Sequence, residues 1–199
     1  MLRRFFRYAG HLIAGMTLEV EGRRTWFQRW KAEFYRHELR ALPGKIGAWG
    51  KFINPRHFPR NSPQEVQALV TSLQTLVYRL EELLEAGDAP AAEPLVRALG
   101  EDLQAWRSGV EATFGRWSVR GEAEPAAALR ERLTTWRAGL ETRIGEALQQ
   151  TGAGTIGERD AESVFRLLGG VRGVSEAAVA YAAVAGTIDL PHWREEVFS

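Results

Sequence analysis

SPQEVQALVTSLQTLVYRLEELL, residues 62–84, decides the fold of this 199-residue chain. It opens with a helix-start signal, because Ser62 can cap, Pro63 suits the first helical position and Glu65 completes a capping box. Apolar residues then recur at alternating steps of three and four, which predicts one buried helix face. That face consists of Val66, Leu69, Leu73, Leu76, Leu80 and Leu83, widened by Val70, Val77 and Leu84.

Two later segments repeat this pattern after short turns. A helix from about Pro90 or Pro94 carries Leu99, Leu103, Trp106, Val110, Phe114 and Trp117 on one side. The next one presents Leu129, Leu133, Trp136, Leu140, Ile144 and Leu148 before Gly152. Each helix has a single apolar stripe to bury, so we expect neighbours connected by short loops to pack antiparallel. The fold class predicted is therefore all-α, an antiparallel helical bundle with long amphipathic helices.

The C-terminal part also has helical spacing, interrupted by glycines. Val164, Phe165 and Leu168 predict a fifth helix, and we expect it to pause at Gly169–Gly170 and Gly173. A last helix should then run from Ser175 to about Ala185, with small alanines that let another helix approach closely. Residues 189–196 look like one more helix start.

The N-terminal part is basic and aromatic. Phe5, Tyr8, Leu12 and Met16 follow helical spacing, which predicts an amphipathic first helix. A second stretch places Trp26, Trp30 and Phe34 four residues apart, beside Phe27 and Tyr35. We interpret this stripe as core or as a helix-packing face, with ligand stacking as the alternative. Pro43 and Gly44 are expected to break the helix, and residues 55–62 to form an irregular linker.

The charges are segregated along the chain. The net charge is +1, yet residues 1–60 alone carry 13 Lys/Arg against four acids, which leaves −8 on the remainder. Two parts follow from this: a basic aromatic helical segment over residues 1–60 and a helical bundle over 61–199, together forming one domain. The basic segment can face anionic lipid, nucleic acid or the acidic remainder of its own fold. The candidate contacts with an anionic surface are Arg3, Arg4, Arg7, Arg23 and Arg24.

Composition bounds the chemistry and the compartment. The chain has no cysteine, so disulfides, thiolate nucleophiles and cysteine-based metal sites are excluded, which fits a reducing cytoplasm. The longest weakly polar run, residues 177–186, is far shorter than the roughly 20 apolar residues of a membrane span. The N-terminus lacks the apolar stretch of a secretory signal. We therefore expect a water-soluble, cytoplasmic chain.

Motifs that suggest catalysis do not hold up on inspection. Gly152, Gly154 and Gly157 satisfy G-x-G-x-x-G, but a dinucleotide site needs a preceding strand and here a helix precedes. His37-Glu38 begins like a zinc-protease motif, but Ala41 stands where the second histidine belongs. We expect no enzyme activity, no catalytic residue, no cofactor and no metal. Nucleic-acid binding is disfavoured too, since no helix-turn-helix or basic-zipper pattern is present.

Several segments carry a resemblance to a known family. They are RRFFR at residues 3–7, FINP at 52–55 leading into the capped helix with LVYRL at 76–80, and the C-terminal stretch from 181 to 198. The closest likeness lies in FRLL at 165–168, VRGVSEA at 171–177, Ile188-Asp189 and WREEVF at 193–198. Together they resemble the soluble region of fusaric-acid-resistance-like (FUSC) membrane proteins. The resemblance implies a cytoplasmic helical region of a bacterial inner-membrane protein that exports aromatic acids.

The expected function combines these observations. We expect a non-catalytic cytoplasmic domain of a FUSC-like efflux protein, acting in packing, oligomerisation or gating at the inner face of the bacterial inner membrane. Its partners would be the transmembrane portion of a parent protein, the anionic membrane surface and a second copy of itself. The alternative is a free-standing interaction module that binds a partner helix or an anionic surface through residues 1–60. No transmembrane block is present, so the resemblance assigns no transport residue.

Overall fold

The computed structural model describes residues 1–16, 26–52, 61–88, 93–120, 123–151 and 158–188. These residues form six α-helices and contain no β-strand, so the all-α bundle is confirmed. The helices are α1 (Leu2–Ala14), α2 (Trp26–Gly50), α3 (Pro63–Asp88), α4 (Glu93–Arg120), α5 (Ala126–Thr151) and α6 (Glu158–Ala185). The predicted helix start within 189–196 lies outside the described residues.

The capping box predicted at the start of α3 is present. The Ser62 backbone amide donates to Glu65 Oε2 over 2.8 Å, and the Glu65 amide donates to Ser62 Oγ over 3.3 Å. Two amides that would lack partners at the helix start are thereby satisfied. This reciprocal pair fixes where α3 begins.

The apolar stripes predicted on α3 and α4 are buried and form a large part of the core. Val66 is the most exposed of the six α3 stripe residues, at 5%, and Val110 the most exposed on α4, at 7%. The α5 stripe is less complete, because Leu129 and Leu140 are buried whereas Leu133, Trp136 and Ile144 are only partly buried. α5 therefore lies at the edge of the core.

The helices are arranged as a closed ring. Neighbouring contacts run in the order α1, α2, α3, α6, α5 and α4, and α4 returns to α1. α3 with α6 and α1 with α4 make the most extensive contacts. The buried apolar side chains of all six helices belong to one continuous cluster.

Contacts between ring neighbours run in opposite chain directions. Gly47 and Gly50 of α2 lie against Val70 and Val66 of α3, respectively. On the other side of α3, Leu83 and Arg79 contact Gly170 and Gly173 of α6. α1 behaves alike toward α4, where Gly10 lies near Phe114 and the carbonyl of Met16 accepts from Arg107 over 2.8 Å. Helices neighbouring in this way are antiparallel.

The break expected at Pro43 was wrong. α2 continues through Pro43 to Gly50, although proline removes one amide from the helical hydrogen-bond ladder. Pro43 is buried, and Leu39, Leu42 and Ile46 around it are at most 4% exposed. Burial of this face against the core offsets the lost hydrogen bond. The Pro-Gly pair predicts a turn from local sequence only and therefore does not show this burial.

The pause expected at Gly169–Gly170 and Gly173 was also wrong, because α6 is continuous from Glu158 to Ala185. A Cβ on Gly170 would lie 2.9 Å from Leu83 Cα, and one on Gly173 would lie 2.9 Å from Arg79 Cδ. These two glycines allow the backbone of α6 to approach α3 closely, and they do not end the helix. α3 and α6 can therefore make one of the tightest pairs in the ring.

The first helix contributes to the centre of the core. Phe6 is 1% exposed, and its ring centroid lies 4.9 Å from that of Trp117 and 4.7 Å from that of Tyr181. Phe5 and Phe114 complete this aromatic cluster. Burial raises the pKa of the Tyr181 phenol. α1 thus joins α4 and α6 through packed rings.

Candidate functional site

The outward side of α1 carries the arginines of the N-terminal segment. Arg3 and Arg7 are exposed, whereas Arg4 is held against α2. Arg4 donates to Glu38 Oε2 over 2.7 Å and to the Tyr8 hydroxyl over 2.9 Å. The hydrogen bond to Tyr8, followed by the nearby Glu38 charge, raises the pKa of Arg4. Arg23 and Arg24 lie outside the described residues.

Aromatic rings fill the seam between α1 and α2. The Tyr8 ring lies 5.1 Å from Tyr35 and 6.0 Å from Phe34, centroid to centroid. His11 stacks on Tyr35 at 5.2 Å. Trp30 stacks on Phe34 at 6.1 Å and extends this row outward. The seam fixes how α2 is rotated against α1.

The stripe of Trp30 and Phe34, expected to be core or a helix-packing face, is not part of the core, although Phe34 packs on Tyr8 of α1. Trp30 is 55% exposed and Phe34 is 41% exposed. Leu39 lies about 180° around the helix from Trp30, at ~100° per residue, and it is Leu39 that faces the core. The aromatic residues do have helical spacing, but the side of α2 that packs on the core carries the aliphatic residues Leu39, Leu42 and Ile46. The side chain of Trp26 lies outside the described residues.

A second exposed aromatic pair stands at the end of α2, which the sequence did not single out. Trp49 is 58% exposed, Phe52 is 82% exposed, and their centroids are 6.2 Å apart. Trp49 lies about 22 Å along the helix axis from Phe34, at ~1.5 Å per residue. Its rotation differs from that of Phe34 by about 60° and from that of the buried Leu42 by only about 20°, so Trp49 is exposed because it lies next to the end of α2. The sequence alone could not reveal this exposed pair, because it does not show which side of α2 is buried.

Four cations on α1, α2 and the turn after α2 have no ion-pair partner among the described residues. Arg3, Arg7, Lys45 and Lys51 are exposed, and none of them forms an ion pair with another residue in the described part of the chain. Arg40, by contrast, pairs with Glu81 of α3, so only part of the basic charge faces the acidic remainder of the fold. We call the combined surface the basic aromatic face, defined by Arg3, Arg7, Trp30, Phe34, Lys45, Trp49, Lys51 and Phe52.

The chemistry of the basic aromatic face suits a charged interface. Lysine and arginine attract anionic headgroups, each contributing about 1 kcal/mol near such a surface. Tryptophan rings are amphipathic and partition to the boundary between water and lipid. Exposed aromatic rings that form a contiguous patch are typical of interaction surfaces.

The residues considered for catalysis do not converge in the described part of the chain. His11 stacks in the seam and His37 is exposed, and no group of three His, Cys, Asp or Glu residues among the described positions can hold a metal ion. His57, His192 and the glycines at 152, 154 and 157 lie outside the described residues.

One described helix is long and apolar enough to cross a membrane. It comprises Glu162–Ala185 within α6, with a mean hydropathy of 1.2, and 61% of that window is buried inside the bundle. Core helices of soluble proteins have the same properties, and α6 packs against α3, α5 and α4. Its apolar character is accounted for by this packing.

Comparison of the chain with protein-family models, with curated proteins and with solved structures found no match. Functional arguments about this chain therefore rest on its own residues. The resemblance to FUSC proteins stays an expectation drawn from short segments.

Proposed function

We propose that this chain is a non-catalytic helical domain that binds the anionic surface of a membrane through its basic aromatic face. The observation that carries the proposal is the exposure of Trp30, Phe34, Trp49 and Phe52 on α2 and the turn that follows it, together with cations that have no ion-pair partner among the described residues. The opposite side of α2 is consumed by the core, so the outer side is available for a partner.

The geometry of α2 supports a helix lying in the plane of the interface. Its two aromatic pairs are separated by about 22 Å along the axis, so they can enter one flat surface together. Lys45 and Lys51 flank the second pair and can reach the phosphates while their methylene stems stay with the apolar layer. Arg3 and Arg7 add positive charge from the neighbouring helix.

The parent protein is the second part of the proposal. The segments that resemble FUSC proteins place such a domain at the cytoplasmic face of the bacterial inner membrane, joined to a transmembrane portion that exports aromatic acids. There it would act in packing, oligomerisation or gating. The cytoplasmic leaflet is anionic and cytoplasmic flanks of membrane proteins are rich in Lys and Arg, which agrees with the charge of residues 1–60.

Vesicle co-sedimentation tests the membrane surface. The full chain is incubated with vesicles of phosphatidylglycerol and phosphatidylcholine, and with vesicles of phosphatidylcholine alone. We expect binding to the anionic vesicles, weakening steeply with salt because counterions screen the attraction. Equal binding to both vesicle types, or to neither, would sink the proposal.

Charge reversal identifies the face. The double variant Arg3→Glu with Arg7→Glu should bind anionic vesicles at least tenfold more weakly, since each lost cation removes about 1 kcal/mol. The matched control is Arg130→Glu with Arg137→Glu, which makes the same charge change on exposed positions of α5. α5 contacts α4 and α6, away from the face. If both doubles weaken binding equally, only the net charge matters and the named face is not the site.

Aromatic insertion is tested separately. Trp49→Ser with Phe52→Ser should weaken vesicle binding while the thermal unfolding midpoint stays close to that of the parent, because both rings are exposed. Val119→Ser, at a residue that is 71% exposed on α4, is the control. Unchanged binding by the aromatic double variant would reduce the contact to electrostatics alone and contradict an inserted helix.

The efflux assignment has its own test. The native reading frame around this segment is inspected for neighbouring apolar spans, which the FUSC-like parent requires. If no such span exists, the efflux assignment falls while vesicle binding is still decided by the experiments above. The alternative is then a free-standing module, and a peptide helix that competes with vesicles for the basic aromatic face would identify it as a protein-binding surface.

A further inference from the structure

A cavity of about 160 Å³ lies between α4, α5 and α6, away from the basic aromatic face. Two indoles bound it, and the centroids of Trp106 and Trp136 are 6.3 Å apart at 39° between their planes. Val110, Leu129 and Leu133 complete the apolar wall, with Ser175 at one side. The surface of this cavity is therefore mainly aromatic and aliphatic.

The size of the cavity matches one aromatic ring. An apolar cavity of about 150 Å³ inside a protein binds benzene. The space here is slightly larger, so it can hold a ring with one small substituent. It is also partly open, because Trp136 is only half-buried and Gly109 is exposed. A small planar molecule can therefore enter through this opening and contact the apolar lining of the cavity.

The polar groups of the cavity select for a donor on that ring. Trp106 Nε1 donates to Ser175 Oγ over 3.0 Å, and Ser175 Oγ donates to the Val171 carbonyl over 2.9 Å. A hydroxyl oxygen has two lone pairs, so Ser175 keeps one acceptor position. Trp136 Nε1 already donates to the Asp102 carbonyl over 3.3 Å. The cavity thus offers an acceptor, while both indole N–H groups are occupied.

The charges near the cavity select against an anion. Arg132 lines it, but its guanidinium is engaged by both carboxylate oxygens of Glu124, each at 2.9 Å. The Arg132 group also lies 3.4 Å from Thr113 Oγ1. A carboxylate ligand would have to displace Glu124 from this pair, whereas an uncharged ring leaves it intact.

We infer that the α4–α5–α6 cavity binds a small, uncharged, hydroxylated aromatic molecule of the phenol class. Its ring lies in the cavity beside Trp106 and Trp136, and its O–H donates to the free lone pair of Ser175 Oγ. The inference rests on different helices from the membrane proposal and is independent of it.

Calorimetric titration of the full chain with phenol, toluene and benzoate tests the ligand class. We expect one phenol per chain, with toluene weaker by about three- to tenfold, the difference made by one neutral hydrogen bond. Benzoate should bind more weakly than phenol. Absence of saturable phenol binding, or tighter binding of benzoate, overturns the inference.

Two variants locate the site. Gly109→Leu should abolish phenol binding, because Gly109 lines the cavity and a Cβ there meets open space. Gly115→Leu is the matched control, since Gly115 also lies on α4 in open space but does not line the cavity. Retained phenol binding in Gly109→Leu, or equal loss in both glycine variants, would contradict this site.

Discussion

The indole of Trp106 on α4 donates its only N–H to the hydroxyl of Ser175 on α6, two residues 69 positions apart in the chain. Both side chains are buried, at 3% and 8% exposure. A buried donor without an acceptor costs about 1–3 kcal/mol. This bond therefore sets the register of α4 against α6, which otherwise share few contacts.

Ser175→Ala is expected to lower the free energy of unfolding by about 1–3 kcal/mol, because it leaves the Trp106 N–H buried without its acceptor. Urea unfolding of four proteins checks the pair: the parent, Ser175→Ala, Trp106→Phe and the double variant. The sum of the losses in unfolding free energy of the two single variants should exceed the loss of the double variant. Strict additivity would mean that the two side chains are energetically independent.

Gly170→Ala and Gly169→Ala should change stability in opposite directions. A Cβ at Gly170 would lie 2.9 Å from the backbone Cα of Leu83, so α3 and α6 must separate, at a cost of about 1–3 kcal/mol. At Gly169 a Cβ meets nothing within 4 Å, so alanine should stabilise the helix by roughly 0.5–1 kcal/mol. Thermal unfolding midpoints measure both, and a stabilised Gly170→Ala would refute the close approach.

Ser62→Ala should destabilise the protein by about 1 kcal/mol, because the Glu65 amide loses its side-chain acceptor at the start of α3. Gln64→Ala is the matched control in the same turn, at an exposed position that takes no part in the capping box. Chemical unfolding of both variants measures the difference. Equal stability of the two would show that the capping box contributes nothing.

Ionisation of Glu124 should make the free energy of unfolding depend on pH. Burial alone would raise the pKa of its carboxyl, but hydrogen bonds and charge from Arg132 and Arg116 outweigh burial and lower the pKa below 4.5. A lowered pKa in the folded state means that this stabilisation is present above about pH 4.5 and is lost as the pH falls through the folded value. Both arginines are largely exposed, so we expect about 0.5 kcal/mol or less.

Urea unfolding at neutral and acidic pH tests the Glu124 pair. Glu124→Gln should flatten the loss of stability on acidification, and Arg132→Met should flatten it by a similar amount. The double variant should add little to either single variant. A pH profile that neither substitution alters would show that other carboxyls control the acid response.

Most of the fold follows from local patterns, and the exceptions have a common physical cause. The capping box at Ser62 and the stripes of α3 and α4 were predicted because they depend on residues within a few turns of each other. Pro43 and Gly170 were misjudged as breaks, because what holds each helix together there is a contact with another helix. Local sequence indicates the helix propensity of a segment, but it does not show the contacts with other helices that stabilise it.

The candidate surface was predicted only in part. Of the candidate contacts with an anionic surface, Arg3 and Arg7 are exposed, whereas the exposed Arg4 is tied to Glu38 and Tyr8. For Trp30 and Phe34 the spacing predicts core or a helix-packing face; both residues lie outside the core, and Phe34 packs on Tyr8 of α1. Which side of α2 faces inward is decided by competition with Leu39, Leu42 and Ile46, and that competition involves α1 and α3. The cavity near Trp136 also required three helices to be placed.

Phe6 and Tyr181 touch in the middle of the bundle although 174 residues separate them in the sequence. During synthesis the first helix is made long before α6, so the part of its apolar side that contacts Tyr181 lacks this partner until almost the whole chain has been made. Contacts of such high contact order slow the search for the native state. We therefore expect α1 to be the helix that most needs shielding while the chain is being made, whether by a chaperone or by the membrane surface proposed above as its partner.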